Sequence, residues 1–257
     1  MMMQRISTGL LLLLLLPMCL QAYQSPQLLF DQGVEALEEN DFDAARTDFL
    51  RLTKQGYASG PLYLNLGIIA VQDDSLGLAK YYFLKAEDFS TTRDAADKGL
   101  EYVESRFSRQ SAVLPKLPWE QALDWIKAEI GNPTLFIIGA LFFNFSILML
   151  VASWFYVSKT LLFKKFGFST GPIGIVLVCL AFYVDYLDAR YREGVMIVDQ
   201  TNVVEQADEQ SDLVSLAYEG YTFTIDYRKS KQAEGWSYVR MSNGLFGWVK
   251  SHTIRTL

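Results

Sequence analysis

Tyr63-Leu64-Asn65-Leu66-Gly67 and Tyr82-Phe83-Leu84-Lys85-Ala86 are parts of a pattern that appears earlier in the chain at an offset of 34 residues. Gly33 recurs as Gly67, Ala45 as Ala79 and Phe49 as Phe83, while Leu52 is answered by Ala86. A period of that length marks helix-turn-helix units that stack because one unit alone cannot bury its apolar face. The small residues belong where two helices approach closely, and the phenylalanines fill the space between neighbouring units.

Each unit parses as helix, turn, helix. The first has a leading helix over Gln27–Glu39, a turn at Asn40-Asp41 and a second helix over Asp43–Lys54. In the second, Pro61 opens a helix to Val71, since its missing N–H has no partner in a first turn. Asp73-Asp74 mark the turn, and Leu76–Ala86 follows. A further helix over Thr92–Phe107 carries Ala95, Ala96, Gly99, Leu100 and Val103 on one face and is expected to cap the array. The segment, 23–110, resembles the tetratricopeptide family, whose leading helices line a concave groove for peptides or helices. The positions that the resemblance assigns to that lining are Phe30, Val34 and Leu37, then Leu64, Ile68 and Val71. Each set forms one apolar stripe, and the charged clamps for a peptide carboxylate are absent, so the groove suits an apolar helix or strand. The alternative is that the chain covers these stripes itself. Residues 111–131 form a linker with an amphipathic helix, Trp119–Ile130, that either provides that cover or lies on a membrane surface.

Residues 1–22 read as a secretory signal, with Arg5 as its positive region and Leu10–Leu16 as its apolar core. Cleavage after Ala22, lipidation at Cys19 and an uncleaved anchor are the readings open there. Two longer apolar runs follow, at 132–157 and 166–187, with Lys159, Lys164 and Lys165 between them in 158–165. A short lysine-bearing loop between spans stays in the cytoplasm. Both flanking parts then face the exported side, in agreement with the leader. Asn144, inside the first span, is expected to bond to the second span or to a partner helix.

From 192 to 257 the composition changes to short β-prone runs, at Val195–Val198, Val203-Val204, Val214–Ala217, Tyr221–Tyr227, Gly235–Met241 and Leu245–Lys250. Ser242-Asn243-Gly244 signals a hairpin, and the spacing suggests a small barrel. Gly235-Trp236-Ser237-Tyr238-Val239-Arg240 and Asn243-Gly244-Leu245-Phe246-Gly247-Trp248-Val249 resemble the closing strands of bacterial SH3-type domains, and Ala217-Tyr218-Glu219-Gly220 matches an earlier turn. The opening Asn202-Val203-Val204-Glu205 departs from that family's pattern, which weakens transfer of a cell-wall ligand site built on the first loop. Trp236, Tyr238 and Trp248 form either a recognition surface for glycan or peptide or the core of the barrel.

The net charge of −6 and the lack of Lys/Arg clusters argue against nucleic acid as a partner. One histidine, His252, and two cysteines, Cys19 and Cys179, offer no metal-ligand spacing and no His-dependent triad. Asp73 and Asp74 lie in a helix–helix turn, where solvated carboxylates are ordinary. No catalytic constellation, cofactor or metal is expected.

The fold class expected is therefore a multidomain membrane protein: a helical tetratricopeptide solenoid, a two-helix transmembrane hairpin and a small all-β SH3-like barrel. In that order the parts resemble the BatE-like proteins of the bacterial aerotolerance operon. The resemblance implies a non-catalytic inner-membrane adaptor with its N- and C-terminal domains in the periplasm. It also implies partners among von Willebrand factor A-type membrane proteins and a MoxR-type ATPase. The alternative is a membrane-anchored peptidoglycan binder acting through the barrel.

Overall fold

A computed structural model of the chain describes residues 25–109 and 113–257. The leader expected over 1–22 lies outside the described residues. The chain divides into two compact units, one of residues up to Ser75 with Tyr82–Ser105, the other of Leu76–Tyr81 with Arg106–Leu257.

Five helices build the N-terminal part: α1 (Pro26–Glu38), α2 (Phe42–Lys54), α3 (Gly60–Gln72), α4 (Leu76–Glu87) and α5 (Arg93–Arg106). Local chemistry sets their starts. Ser25, Asp41 and Ser59 accept hydrogen bonds from the amides of Leu28, Ala44 and Leu62, and proline stands in the first turn of α1 and α3. The ends of α1 and α3 repeat the same geometry. Asn40 and Asp74, 34 residues apart, take left-handed φ values of 63° and 56°. The next amides close the same loop, Asp41 N to Ala36 O at 2.8 Å and Ser75 N to Ala70 O at 2.9 Å.

The small positions of the repeat sit against aromatic rings. A methyl on Gly33 would stand 2.7 Å from Cε1 of Phe49, and one on Gly67 would stand 2.5 Å from Cε1 of Phe83. Gly99 of α5 closes on the same Phe83 ring, since a methyl there would stand 2.8 Å from its Cζ. Ala45, Phe49, Ala79 and Ala86 are fully buried. The 34-residue offset in the sequence is thus an offset in packing as well.

After α5 the chain forms α6 (Pro118–Trp125), which continues as one wider turn, Ile126–Ile130, until Gly131 breaks it with φ 73°. Two long apolar helices follow, α7 (Asn132–Phe155) and α8 (Thr160–Arg190), each long and apolar enough to cross a membrane. The turn between them is only Tyr156–Lys159. Lys164 and Lys165, expected in a loop, are helical, because nothing between Thr160 and Pro172 breaks a helix and the Thr160 hydroxyl bonds the carbonyl of Val157 at 3.0 Å. The helices pair through small residues. A methyl on Gly174 would lie 2.6 Å from the Phe143 amide nitrogen and 2.8 Å from the Gly139 carbonyl. Ser146 donates to the Gly167 carbonyl at 2.7 Å. Asn132 reaches Asp185 at 3.5 Å, and Lys127 pairs with Asp188, so the chain enters and leaves the hairpin at one end.

Arg190 ends α8 and Tyr191 begins β1 with no residue between. Seven antiparallel strands follow: β1 (Tyr191–Met196), β2 (Gln200–Val204), β3 (Leu213–Tyr218), β4 (Thr222–Asp226), β5 (Trp236–Met241), β6 (Phe246–Lys250) and β7 (Ile254–Thr256). A short helix, α9 (Tyr227–Ser230), separates β4 from β5. Their order, β3-β2-β6-β5-β4-β1-β7, leaves β3 and β7 as edges, so the sheet is not closed where the sequence suggested a barrel. At the β2–β6 junction only Val204 and Trp248 are in register, beside a bulge at Val203/Val204. Met196, Val203, Phe223, Ile225, Val239, Met241 and Val249 form the core of this sheet.

Candidate functional site

The two faces singled out in the sequence fare differently. In the helical unit, Phe30, Val34, Leu37 and Leu64 are half-buried and pack against the unit's own core. Val71 is half-buried, and Ile68 is the open member at 38 % exposure. Most of the stripe therefore serves packing inside the unit. The helix proposed as its cover carries Trp119 and Trp125 at 62 % and 60 % exposure, so neither ring is enclosed.

In the sheet, strand parity decides the faces. Ser237, Val239 and Met241 of β5 and Gly247 and Val249 of β6 are buried. The intervening residues, Trp236, Tyr238 and Arg240 with Phe246, Trp248 and Lys250, occupy the other face. Trp236, Tyr238 and Trp248 are thus placed together outside the core. The register pairs Trp236 with Lys250, Tyr238 with Trp248 and Arg240 with Phe246. Tyr238 is central: its ring stacks with Phe246 at 6.3 Å and meets Trp248 edge-on at 5.2 Å between centroids. Cations ride on the rings, with Lys229 Nζ 4.0 Å from the Tyr238 centroid, Arg240 5.8 Å from Phe246 and Lys250 5.9 Å from Trp236. Each such contact is worth about 0.5–1 kcal/mol at an exposed site.

This arrangement offers flat apolar rings edged with positive charge. Beside Trp236 lies a shallow depression of about 450 Å³, whose lining includes Asp208, Glu209, Lys250 and exposed His252. Lys250 pairs there with Glu209. Phe246, Lys229, Arg240 and Lys250 escaped the sequence reading. Parity carries the signal for three of them, since Arg240, Phe246 and Lys250 share their side of the strands with Trp236, Tyr238 and Trp248.

The polar contact joining α8 to the sheet is Arg190–Asp226. Arg190 donates through Nη2 at 2.8 Å and Nε at 3.1 Å to one oxygen of Asp226, and the other oxygen caps α9 through the Lys229 amide at 3.1 Å. Asp226 is almost fully buried. Burial alone opposes its ionisation, but the Arg190 guanidinium and the amides of Lys229 and Arg228 together outweigh it, holding the carboxyl below its ordinary range. This is a structural pair, not a poised acid. Asp73 likewise is engaged, with Arg46, which also binds Asp43 at 2.7 Å. No group of three or more His, Cys, Asp or Glu able to hold a metal occurs among the described residues. No family model matches the chain, and no curated protein matches it.

Proposed function

We propose that the chain is a non-catalytic membrane adaptor. Its two apolar helices insert as a hairpin in the bacterial inner membrane and present a tetratricopeptide-type unit and an SH3-like unit to the periplasm. The observation that carries this reading is the hairpin: its two ends meet at Lys127–Asp188, while Lys159, Lys164 and Lys165 lie at or near the opposite turn. Lysines at a tight turn favour a cytoplasmic placement of that end. Trp119 and Trp125, exposed just before the first span, suit the headgroup layer on the other side.

By its resemblance to BatE-like proteins, the adaptor serves assembly of an aerotolerance-type complex with von Willebrand factor A-type membrane proteins and a MoxR-type ATPase. The test is co-purification of the tagged full-length chain in detergent, read by mass spectrometry. Recovery of such partners, reduced by Ile68→Glu at the open position of the stripe in a folded protein, is the expected result. Recovery of no membrane partner from either form would sink the adaptor.

A second reading is favoured by one observation, the outward set of Trp236, Tyr238 and Trp248. Aromatic faces of this kind stack on sugar rings or peptides, so the sheet would hold the chain to peptidoglycan. Retention of the full-length protein on purified peptidoglycan, lost with Trp236→Ala and Tyr238→Ala together, tests it. No retention of the native chain removes this reading.

A further inference from the structure

One face of α7 repeats in steps of four and three. Ile137, Leu141, Asn144, Leu148, Val151 and Phe155 form it, and all six are exposed. Gly139, Ser146, Leu150 and Ser153 each stand two residues after a member of this set, about 200° round the helix. Gly139, Ser146 and Leu150 lie against α8, and the first set is turned away from it.

Asn144 stands in the middle of this outer seam, halfway along a helix of 24 residues. Past the first turn of α7 its two hydroxyl side chains are satisfied within the hairpin, Ser146 by the Gly167 carbonyl and Ser153 by the Leu150 carbonyl. Asn144 donates once, to the Ala140 carbonyl at 2.8 Å, and among the described residues its Oδ1 accepts nothing. The partner expected on the second span is therefore not there. Lipid tails carry no donor, so an amide at this depth is left unfilled unless another helix supplies one.

We propose that this seam joins two copies of the chain in the bilayer, with Asn144 bonded to Asn144 across a two-fold axis. The inference rests on the hairpin spanning the membrane. Every copy then inserts in the same direction, so the two seams run parallel and bring Asn144 to the same depth. A carboxamide carries both donor and acceptor, so each Nδ2 fills the other Oδ1. An unrelated helix would have to present such a group at that level. A run of Ile, Leu and Val at heptad spacing with a single Asn is also the pattern that fixes register between parallel helices.

The test is disulfide trapping of the full chain in native membranes, with Cys19→Ser and Cys179→Ser as background. Leu141→Cys and Leu148→Cys are expected to form a cross-linked dimer in several-fold higher yield than Phe145→Cys, which is exposed but sits about 100° round from Asn144. Adding Asn144→Leu should lower the dimer fraction by about tenfold, and Asn144→Gln should keep it. If the protein resists alkaline carbonate extraction but the seam cysteines cross-link no better than Phe145→Cys, or only to a different protein, the paired-copy inference is overturned and the membrane reading stands. Release by carbonate overturns both.

Discussion

Replacing Gly67 with alanine should destabilise the helical unit, although alanine is the better helix former. The new methyl would fall 2.5 Å from a carbon of Phe83, well inside contact distance. The ring has little room to yield, because it is only 3 % exposed and Gly99 closes on it as well. Overpacking a confined site costs about 3 kcal/mol at the upper end of the usual range. The helix preference of alanine over glycine returns about 1 kcal/mol. The net expectation is a loss of about 2 kcal/mol, roughly a 30-fold rise in the open population. Phe83→Leu alone costs about 1–2 kcal/mol through the lost ring atoms. Combined, the two should cost at least about 1 kcal/mol less than their sum, because the methyl then occupies space the ring has left. Hydrogen exchange of peptides from α3 and α4 in the detergent-solubilised full chain reads these changes locally, since a chain of two compact units does not unfold in one step. Slower exchange in Gly67→Ala, the sign that helix propensity alone demands, would refute the confinement of the Phe83 ring.

Phe49→Ala, at a fully buried position, should cost about 3–5 kcal/mol and expose α1 and α2 to protease while the sheet stays resistant. Gly174→Ala should weaken the hairpin more than Gly171→Ala, because the first methyl meets backbone and the second meets only the Ser146 side chain. Thermal aggregation in detergent ranks the two, and the reverse order contradicts the packing. The Asp226 carboxyl, depressed in the folded state, contributes its stability in full above its unfolded value near 3.8 and loses it as pH falls through the lower folded value. Acid unfolding of the sheet, followed by tryptophan fluorescence, should therefore lose part of its pH dependence in Asp226→Asn. An unchanged acid limb would mean that Asp226 is not coupled to folding.

The helical repeat was legible because its geometry depends on residue size at fixed offsets. Gly33 and Gly67 admit rings that no larger side chain would, and Asn40 and Asp74 tolerate the left-handed turn, so the 34-residue period survives from sequence into packing. The strands were legible to within a few residues, but β7, only three residues long, is too short for an alternation signal. Lys164 and Lys165 misled because charge was taken as a sign of loop, whereas lysine is a good helix former. Trp248 shows the limit of reading by size. A large aromatic in a small sheet suggests core, but it shares its parity with Lys250, and Val249 took the interior. Whether Asn144 faced α8 or the outside depended on which side Gly139, Ser146 and Gly174 would close, and that is a property of two helices together.

The direct passage from Arg190 to Tyr191 turns α8 into a lever. A helix of 31 residues is about 46 Å long, so a change of about 10° in its tilt sweeps one end by about 8 Å relative to the other. With no residue between helix and strand, and with Arg190 bonded to Asp226, the start of the sheet is coupled to that end of the helix. Bilayer thickness is one of the variables that set helix tilt. On the membrane reading proposed above, the Trp236–Tyr238–Trp248 face would turn with the tilt that the surrounding lipid sets for the hairpin.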